Sequence, residues 1–381
     1  MFTESRHKTE YGESPQVLST VPGVTVLAGE FSVLCHGHAL CAANERTLFV
    51  EVSRRSDSTV HVFNSATNDR KKFGLSSIKY RKEDRWGNYV KGMLLWLQRY
   101  IDVPGMNITL SGDLLCCDGR IQSAAIGVGV GLAAYRLVGL ETDVGVIASC
   151  CWSSCSKFCS EMYNLHFILS MLHAQKDRFM LFDMQTASFL FVEDPFGPRL
   201  SLVMANGNIP PAAMREELYS KHAQGKCAMD VLSGMGCNVD FKVFPFDDLK
   251  DRQIPVDEGT RTICCYIYDE SRIALGLAQA FTQKDFSQIG KCLSKLGAGL
   301  RDGMELTCPE LEWLSKRSTE TSCCLGGTVV NAGGGGCIAM VMDDCSLEAF
   351  SSKLDEYERI FGFKATASAF SPAAGASASC L

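Results

Sequence analysis

Residues 47–52 and 60–63 alternate apolar and polar positions, and the alternation predicts strands. Further strands are predicted over 21–26, 106–110, 178–183, 189–192 and 200–205. Apolar residues recur at helical spacing over 85–100, at Trp86, Tyr89, Val90, Met93, Leu94 and Leu97. Helices are also predicted over 142–157, 164–172, 213–233, 272–281, 286–302 and 346–361. Another begins near Pro309, since proline suits the first helical turn. Residues 324–342 read as a glycine-rich turn into a buried strand, and 364–370 as a last strand. Residues 1–20 read as a loose lead-in. The Ser/Ala/Gly tail beyond Ser371 has the composition of a disordered segment. Turn formers cluster at 193–198, which predicts two domains, 1–197 and 198–381.

The stretch 111–134 (S-G-D-L-L-C-C-D-G-R-I-Q-S-A-A-I-G-V-G-V-G-L-A-A) organises the chain. It reads as a strand end, a short loop holding Gly119 and a helix of small residues. A loop that opens a helix presents free N–H groups and the positive dipole end to an anion. Ser123, Ala124 and Ala125 would let a phosphate, or another backbone, come close. Arg120, Ile121 and Gln122 are bulky for a phosphate cradle, so a plain loop before a buried helix also fits.

The formal net charge is -6 with no block of Lys or Arg, so binding to nucleic acid is not expected. No apolar run reaches the length of a membrane span, and the expected location is cytoplasmic. The 19 cysteines are odd in number and often adjacent, which argues against a disulfide framework. Cys151, Cys155 and Cys159 share a helical stripe, but no usual zinc spacing is present, so no metal is expected from the cysteines. His36 and His38 flank Gly37 and read as exposed turn histidines.

P-G-V-T-V-L-A-G-E (22–30), W-G-N-Y-V-K-G (86–92), the stretch 111–125 and N-A-G-G-G-G-C (331–337) together resemble segments of the galactokinases, which are GHMP small-molecule kinases. P-G-V-T-V-L-A-G-E (22–30) is similar to the family's first motif. W-G-N-Y-V-K-G (86–92) resembles a galactokinase helix, and 111–125 aligns without a gap on the phosphate loop. L-R-D (300–302), C-P-E-L (308–311) and N-A-G-G-G-G-C (331–337) follow in the family's order. The resemblance implies an α+β, two-domain GHMP-kinase fold. Its N-terminal domain is α/β, and its C-terminal domain is a ferredoxin-like α+β domain. It also implies a sugar and a nucleotide as small-molecule partners, with ATP and Mg²⁺ as cofactors if nucleotide binding or activity survives. Glu30 falls on the sugar-contact position. Gly119, Ser123, Ala124, Gly333 and Gly335 fall on nucleotide-binding positions, and Ser123 is also a candidate metal ligand. A Glu beside a Gly equally fits a helix cap or a lysine partner.

The family's catalytic chemistry is thin in this sequence. The first-motif Arg position is Val24, the catalytic Asp position is Leu165, and the magnesium-binding Glu position is Ser153. Phe31 and Val33 stand where the family has His and Asp. Losing one group that stabilises a transition state costs on the order of 10²–10³ in rate. His166 is the nearest replacement base, but one position along a helix turns a side chain by about 100°. The expectation is a galactokinase-like protein, silent or strongly impaired, with residual sugar or nucleotide binding or a regulatory role. The alternative is an active ATP-dependent galactokinase or related sugar kinase, with His166 or Glu161 as base and Ser123 on the metal.

Overall fold

The computed structural model describes residues 6–116, 119–161, 165–210 and 212–381. In chain order the first elements are α1 (Arg6–Tyr11), β1 (Val17–Ala28), β2 (His38–Arg54), β3 (Thr59–Asn64) and β4 (Asp69–Gly74). Next come α2 (Gly87–Leu97), β5 (Met106–Gly112), α3 (Gly119–Leu137), α4 (Val144–Ser153) and α5 (Leu165–His173). β6 (Arg178–Asp183), β7 (Ser188–Glu193), β8 (Ser201–Asn206), α6 (Ala212–Gly234), α7 (Phe246–Lys250) and α8 (Glu258–Gln283) follow. The chain closes with α9 (Phe286–Ala298), α10 (Pro309–Thr319), β9 (Cys324–Val329), β10 (Cys337–Met342), α11 (Asp344–Ser351), α12 (Leu354–Phe361), β11 (Thr366–Ala369) and β12 (Ser377–Cys380).

These elements form two compact units, each discontinuous in sequence. The first comprises Met1–Val24, Ala43–Lys176 and Ala373–Leu381; the second comprises Thr25–Ala42 and Asp177–Pro372. The turn formers at 193–198, where the sequence predicts a boundary, lie inside the second unit.

In the first unit the strand order is β12-β1-β2-β5-β3-β4. β2 and β5 are antiparallel, while β3 and β5 are parallel, with Val60 opposite Met106. Val90, Met93, Leu94 and Leu97 form the buried face of α2, as their spacing predicts. Two corrections concern the ends. The tail is not disordered: β12 pairs antiparallel with β1 from Val17↔Cys380 to Thr20↔Ser377. From Arg6 on the lead-in is not loose either, since α1 buries His7, whose ring bonds Ser53 Oγ at 2.8 Å and Thr109 Oγ1 at 3.1 Å; residues 1–5 lie outside the described residues. Composition misjudged both ends because small or polar residues pair through backbone and side-chain hydrogen bonds as well as apolar ones do.

In the second unit β6 pairs antiparallel with β2 through His38↔Asp183, and β7 folds back on β6. A separate sheet has the order β11-β8-β10-β9. α8 and α9 pack their apolar faces onto a core that includes Leu40, Phe179, Leu202, Leu277, Phe281 and Leu293. The predicted helix 272–281 begins much earlier, at Glu258, because the Asp257 carboxylate accepts the Thr260 amide and caps it. The predicted helix 346–361 is two helices, and 324–342 holds two strands around the glycine turn. His38 is buried, its amide donating to Ser271 Oγ at 2.8 Å; only His36 is an exposed turn histidine.

Among the described residues no helix is long and apolar enough to cross a membrane. No group of three or more His, Cys, Asp and Glu side chains is arranged for a metal among them.

Candidate functional site

In the first unit the candidate residues gather at the start of α3. This helix lies inside the unit because its residues are small. A Cβ at Gly127 would stand 2.5 Å from Cys151 Sγ, one at Gly129 2.6 Å from Val50, and one at Gly131 2.5 Å from Met93. Gly119 opens the helix, while Cys117 and Asp118 lie outside the described residues. Ser123 and Ala124 are fully buried. Ser123 Oγ donates to the Arg120 carbonyl at 2.9 Å and also bonds the Cys155 side chain. Gln122 Nε2 donates to the Leu115 carbonyl at 2.7 Å and closes the loop. The Arg120 guanidinium is 2% exposed and lies 5.4 Å from the centre of the Phe167 ring. Arg120 and Ile121 therefore face inward, and the half-buried Gln122 braces the loop with its side chain.

Val24 is fully buried in β1, and Ser153 is buried at the end of α4. Leu165 is the first residue of α5, and residues 163 and 164 before it lie outside the described residues. His166 is fully buried with its ring stacked on Phe167 at 4.6 Å, so it is not a solvent-facing base. Glu161 accepts a hydrogen bond from the Tyr89 hydroxyl at 2.6 Å. At the positions that the resemblance assigns to a metal, the chain has Ser153, a neutral hydroxyl, and Ser123, already bonded within its own helix. That donor set does not fit a divalent cation, which seeks carboxylate oxygens. The Cys155 thiol is held well above its ordinary range, first by its bond with Cys151 and then by burial. Burial likewise pushes the Cys150 thiol up to about 11, so these sulfurs stay protonated.

In the second unit the candidate is the turn after β1. Gly29 has φ +106°, and a Cβ there would stand 2.3 Å from Ala39 Cα, so only glycine fits. The next three amides all point at one carboxylate on α8. Glu30 N donates to Glu270 Oε1 at 3.1 Å; Phe31 N and Ser32 N donate to Glu270 Oε2 at 2.8 and 3.0 Å. Phe31 stacks on His222 of α6 at 4.4 Å and meets Tyr266 edge-on at 5.9 Å. His222 Nε2 lies 3.7 Å from Glu30 Oε1, and both side chains are 3% exposed. Glu30 therefore faces His222. Burial raises the Glu270 carboxyl to about 7, against the pull of the Phe31 amide. Burial also raises the Tyr266 phenol, whose hydroxyl bonds Glu270 Oε1 at 3.3 Å.

The second unit also carries the glycine turn between β9 and β10. Asn331 Oδ1 accepts the Val26 amide at 2.7 Å, and the Gly336 carbonyl accepts the Gly207 amide at 2.9 Å. Gly333 is packed: a Cβ there would meet Met214 at 3.0 Å. Gly335 is open, with only Asn331 Nδ2 near, at 3.7 Å.

Two residues of this constellation escape sequence reasoning. Glu270 lies on the helical stretch whose run T-I-C-C-Y-I-Y resembles a strand, and the one signal for it is the Asp257-x-x-Thr260 cap. His222 sits inside a long polar helix with nothing local to mark it.

No protein-family model matches the chain. It is 29% identical over 373 residues to a Treponema pallidum (strain Nichols) protein provisionally named galactokinase, covering 96% of this chain and 93% of that protein. Galactokinase of Bacillus subtilis (strain 168) is 24% identical over 351 residues, 90% of each chain. Among solved structures, Lactococcus lactis galactokinase complexed with galactose superposes with a TM-score of 0.89 at 19% identity, covering 98% of this chain and 97% of that one. The mevalonate kinase of Methanococcus jannaschii superposes at 0.62 with 14% identity, over 95% and 99% of the two chains. The fold is the α+β fold of the GHMP kinases.

Proposed function

Since the chain belongs to the galactokinase family of GHMP kinases, we propose that it binds a galactose-like sugar and a nucleotide but transfers phosphate poorly or not at all. The observation that carries this reading is the set of side chains at the reacting positions. Val24, Leu165 and Ser153 stand where the family has a guanidinium and two carboxylates. Phosphoryl transfer needs a group to steer the hydroxyl and charges to neutralise the transferring phosphoryl. An isopropyl, an isobutyl and a neutral hydroxyl supply none of these. His166, as the neighbouring base, is buried against Phe167 and does not restore the lost carboxylate.

Binding needs less. Glu30 is retained, and its turn is rigid. The open Gly335 leaves backbone accessible in the glycine turn, and Gly119 with the first turn of α3 offers amides to a phosphate. Mg²⁺ has no supporting carboxylate at the positions the family uses, so nucleotide affinity in this reading rests on backbone and apolar contacts. The test is titration of D-galactose and of ATP, separately, into reduced protein by isothermal calorimetry, beside Glu30→Gln. The reading expects saturable galactose binding that Glu30→Gln weakens by about tenfold or more, the value of one charge-assisted hydrogen bond. Absence of binding by either ligand would overturn it.

A further inference from the structure

Glu270 has no assigned role, yet its carboxylate is one of the most heavily engaged groups of the second unit. It is 3% exposed and gathers three consecutive amides from the turn 30–32. We infer that Glu270 is a positioning residue for Glu30: from α8 it clamps the main chain on which the sugar-contact carboxylate is mounted. The inference rests on the proposed sugar-binding reading.

The argument is geometric. A turn of successive amides forms a small anion cradle. Here the cradle is filled from inside the protein by a side chain 240 residues away in sequence. Its two oxygens divide the work, Oε1 on Glu30 and Oε2 on Phe31 and Ser32. The next residue on α8 reinforces the same loop, since Ser271 Oγ accepts the His38 amide. Ser32 Oγ closes the loop internally, donating to the His38 carbonyl at 2.5 Å. Cys35 Sγ bonds the Ser32 carbonyl at 3.2 Å. The backbone of residue 30 is thus fixed by α8, and its carboxylate faces His222.

The groups that face Glu270 are Glu30 from the turn, Tyr266 from its own helix and, by field, the Cys35 thiol; His222 from α6 faces Glu30. A carboxylate accepts from three donors at once, whereas an amide in its place offers one acceptor oxygen and two misdirected donors. Glu270→Gln should therefore release the turn while keeping the volume of the side chain.

The experiment has two arms on the full chain, wild type and Glu270→Gln, with Glu270→Asp as the conservative variant. The first is ligand-free amide hydrogen exchange of residues 30–32, corrected for intrinsic rate. The second is calorimetric affinity for D-galactose. The clamp predicts that Glu270→Gln speeds exchange at these amides about tenfold or more, the loss of one charge-assisted bond. It also predicts a comparable loss of galactose affinity, with Glu270→Asp recovering part of both. Wild-type affinity retained in Glu270→Gln would overturn the inference. If wild type binds no galactose, the proposed function falls, and the exchange arm alone decides the clamp: unchanged protection refutes it. Should Glu270→Gln fail to fold, Glu270→Asp decides the matter: its shortened side chain must speed exchange at the amides of residues 30–32, and wild-type protection in Glu270→Asp overturns the clamp.

Discussion

Val17 and Cys380 are opposite partners at one end of the antiparallel ladder between β1 and β12. The last strand thus completes the first unit's sheet. Ala376 N adds a bond to the Met171 carbonyl at 2.6 Å, and Leu381 N one to Gln16 at 2.9 Å. Ending the chain after Ser371 removes this ladder and bares the edge of β1. Each net backbone hydrogen bond is worth about 1 kcal/mol, so the truncation should cost about 2–5 kcal/mol and promote aggregation. Differential scanning calorimetry checks it; an unchanged first-unit transition would contradict the structural role given to the tail.

Gly129 and Val50 are packed so closely that a Cβ has no room. Gly129→Ala gains helix propensity but must push Val50 and Val21 aside. Overpacking of this kind costs about 1–3 kcal/mol, more than the propensity gain. Thermal melting should show a lower midpoint for Gly129→Ala. A midpoint at or above wild type would mean that α3 shifts freely.

Two buried groups give the two units opposite pH responses. Glu270 is raised from its ordinary 4.5 to about 7 by burial, so the folded second unit holds a proton that the unfolded chain has lost. Its contribution is full below pH 4.5 and is lost as pH rises through about 7. Burial lowers the His7 pKa from its ordinary 6.5, so the unfolded chain takes a proton that the folded first unit refuses. The first unit therefore loses stability as pH falls below 6.5. Hydrogen exchange monitored by peptide across pH 5–8 should show the two trends. Glu270→Gln should flatten the second, and His7→Gln the first.

Much of this was legible in the sequence, for identifiable reasons. Strongly periodic segments such as α2 and β3 declare themselves, since one buried face imposes the period. The glycines of α3 and the Gly29-Glu30 step mark close backbone approaches. Long-range partnerships leave no local trace. Glu270 meets residues 30–32 only after folding, and His222 stacks on Phe31 from the middle of a polar helix. β12 looks like linker because Ser and Ala carry no apolar pattern, yet a ladder needs only backbone. The bulky residues 120–122 read as spoiling a phosphate loop; in the structure Arg120 and Ile121 are buried, and Gln122 braces the loop.

The most direct test of the central claim is galactose-dependent release of ADP from Mg-ATP by purified, reduced protein, with Ser123→Ala as control. The side chains at positions 24, 153 and 165 predict no turnover above that control. Turnover at ordinary kinase rates of about 1–100 s⁻¹, abolished in Ser123→Ala, would contradict it and show that this site carries out phosphoryl transfer with other groups.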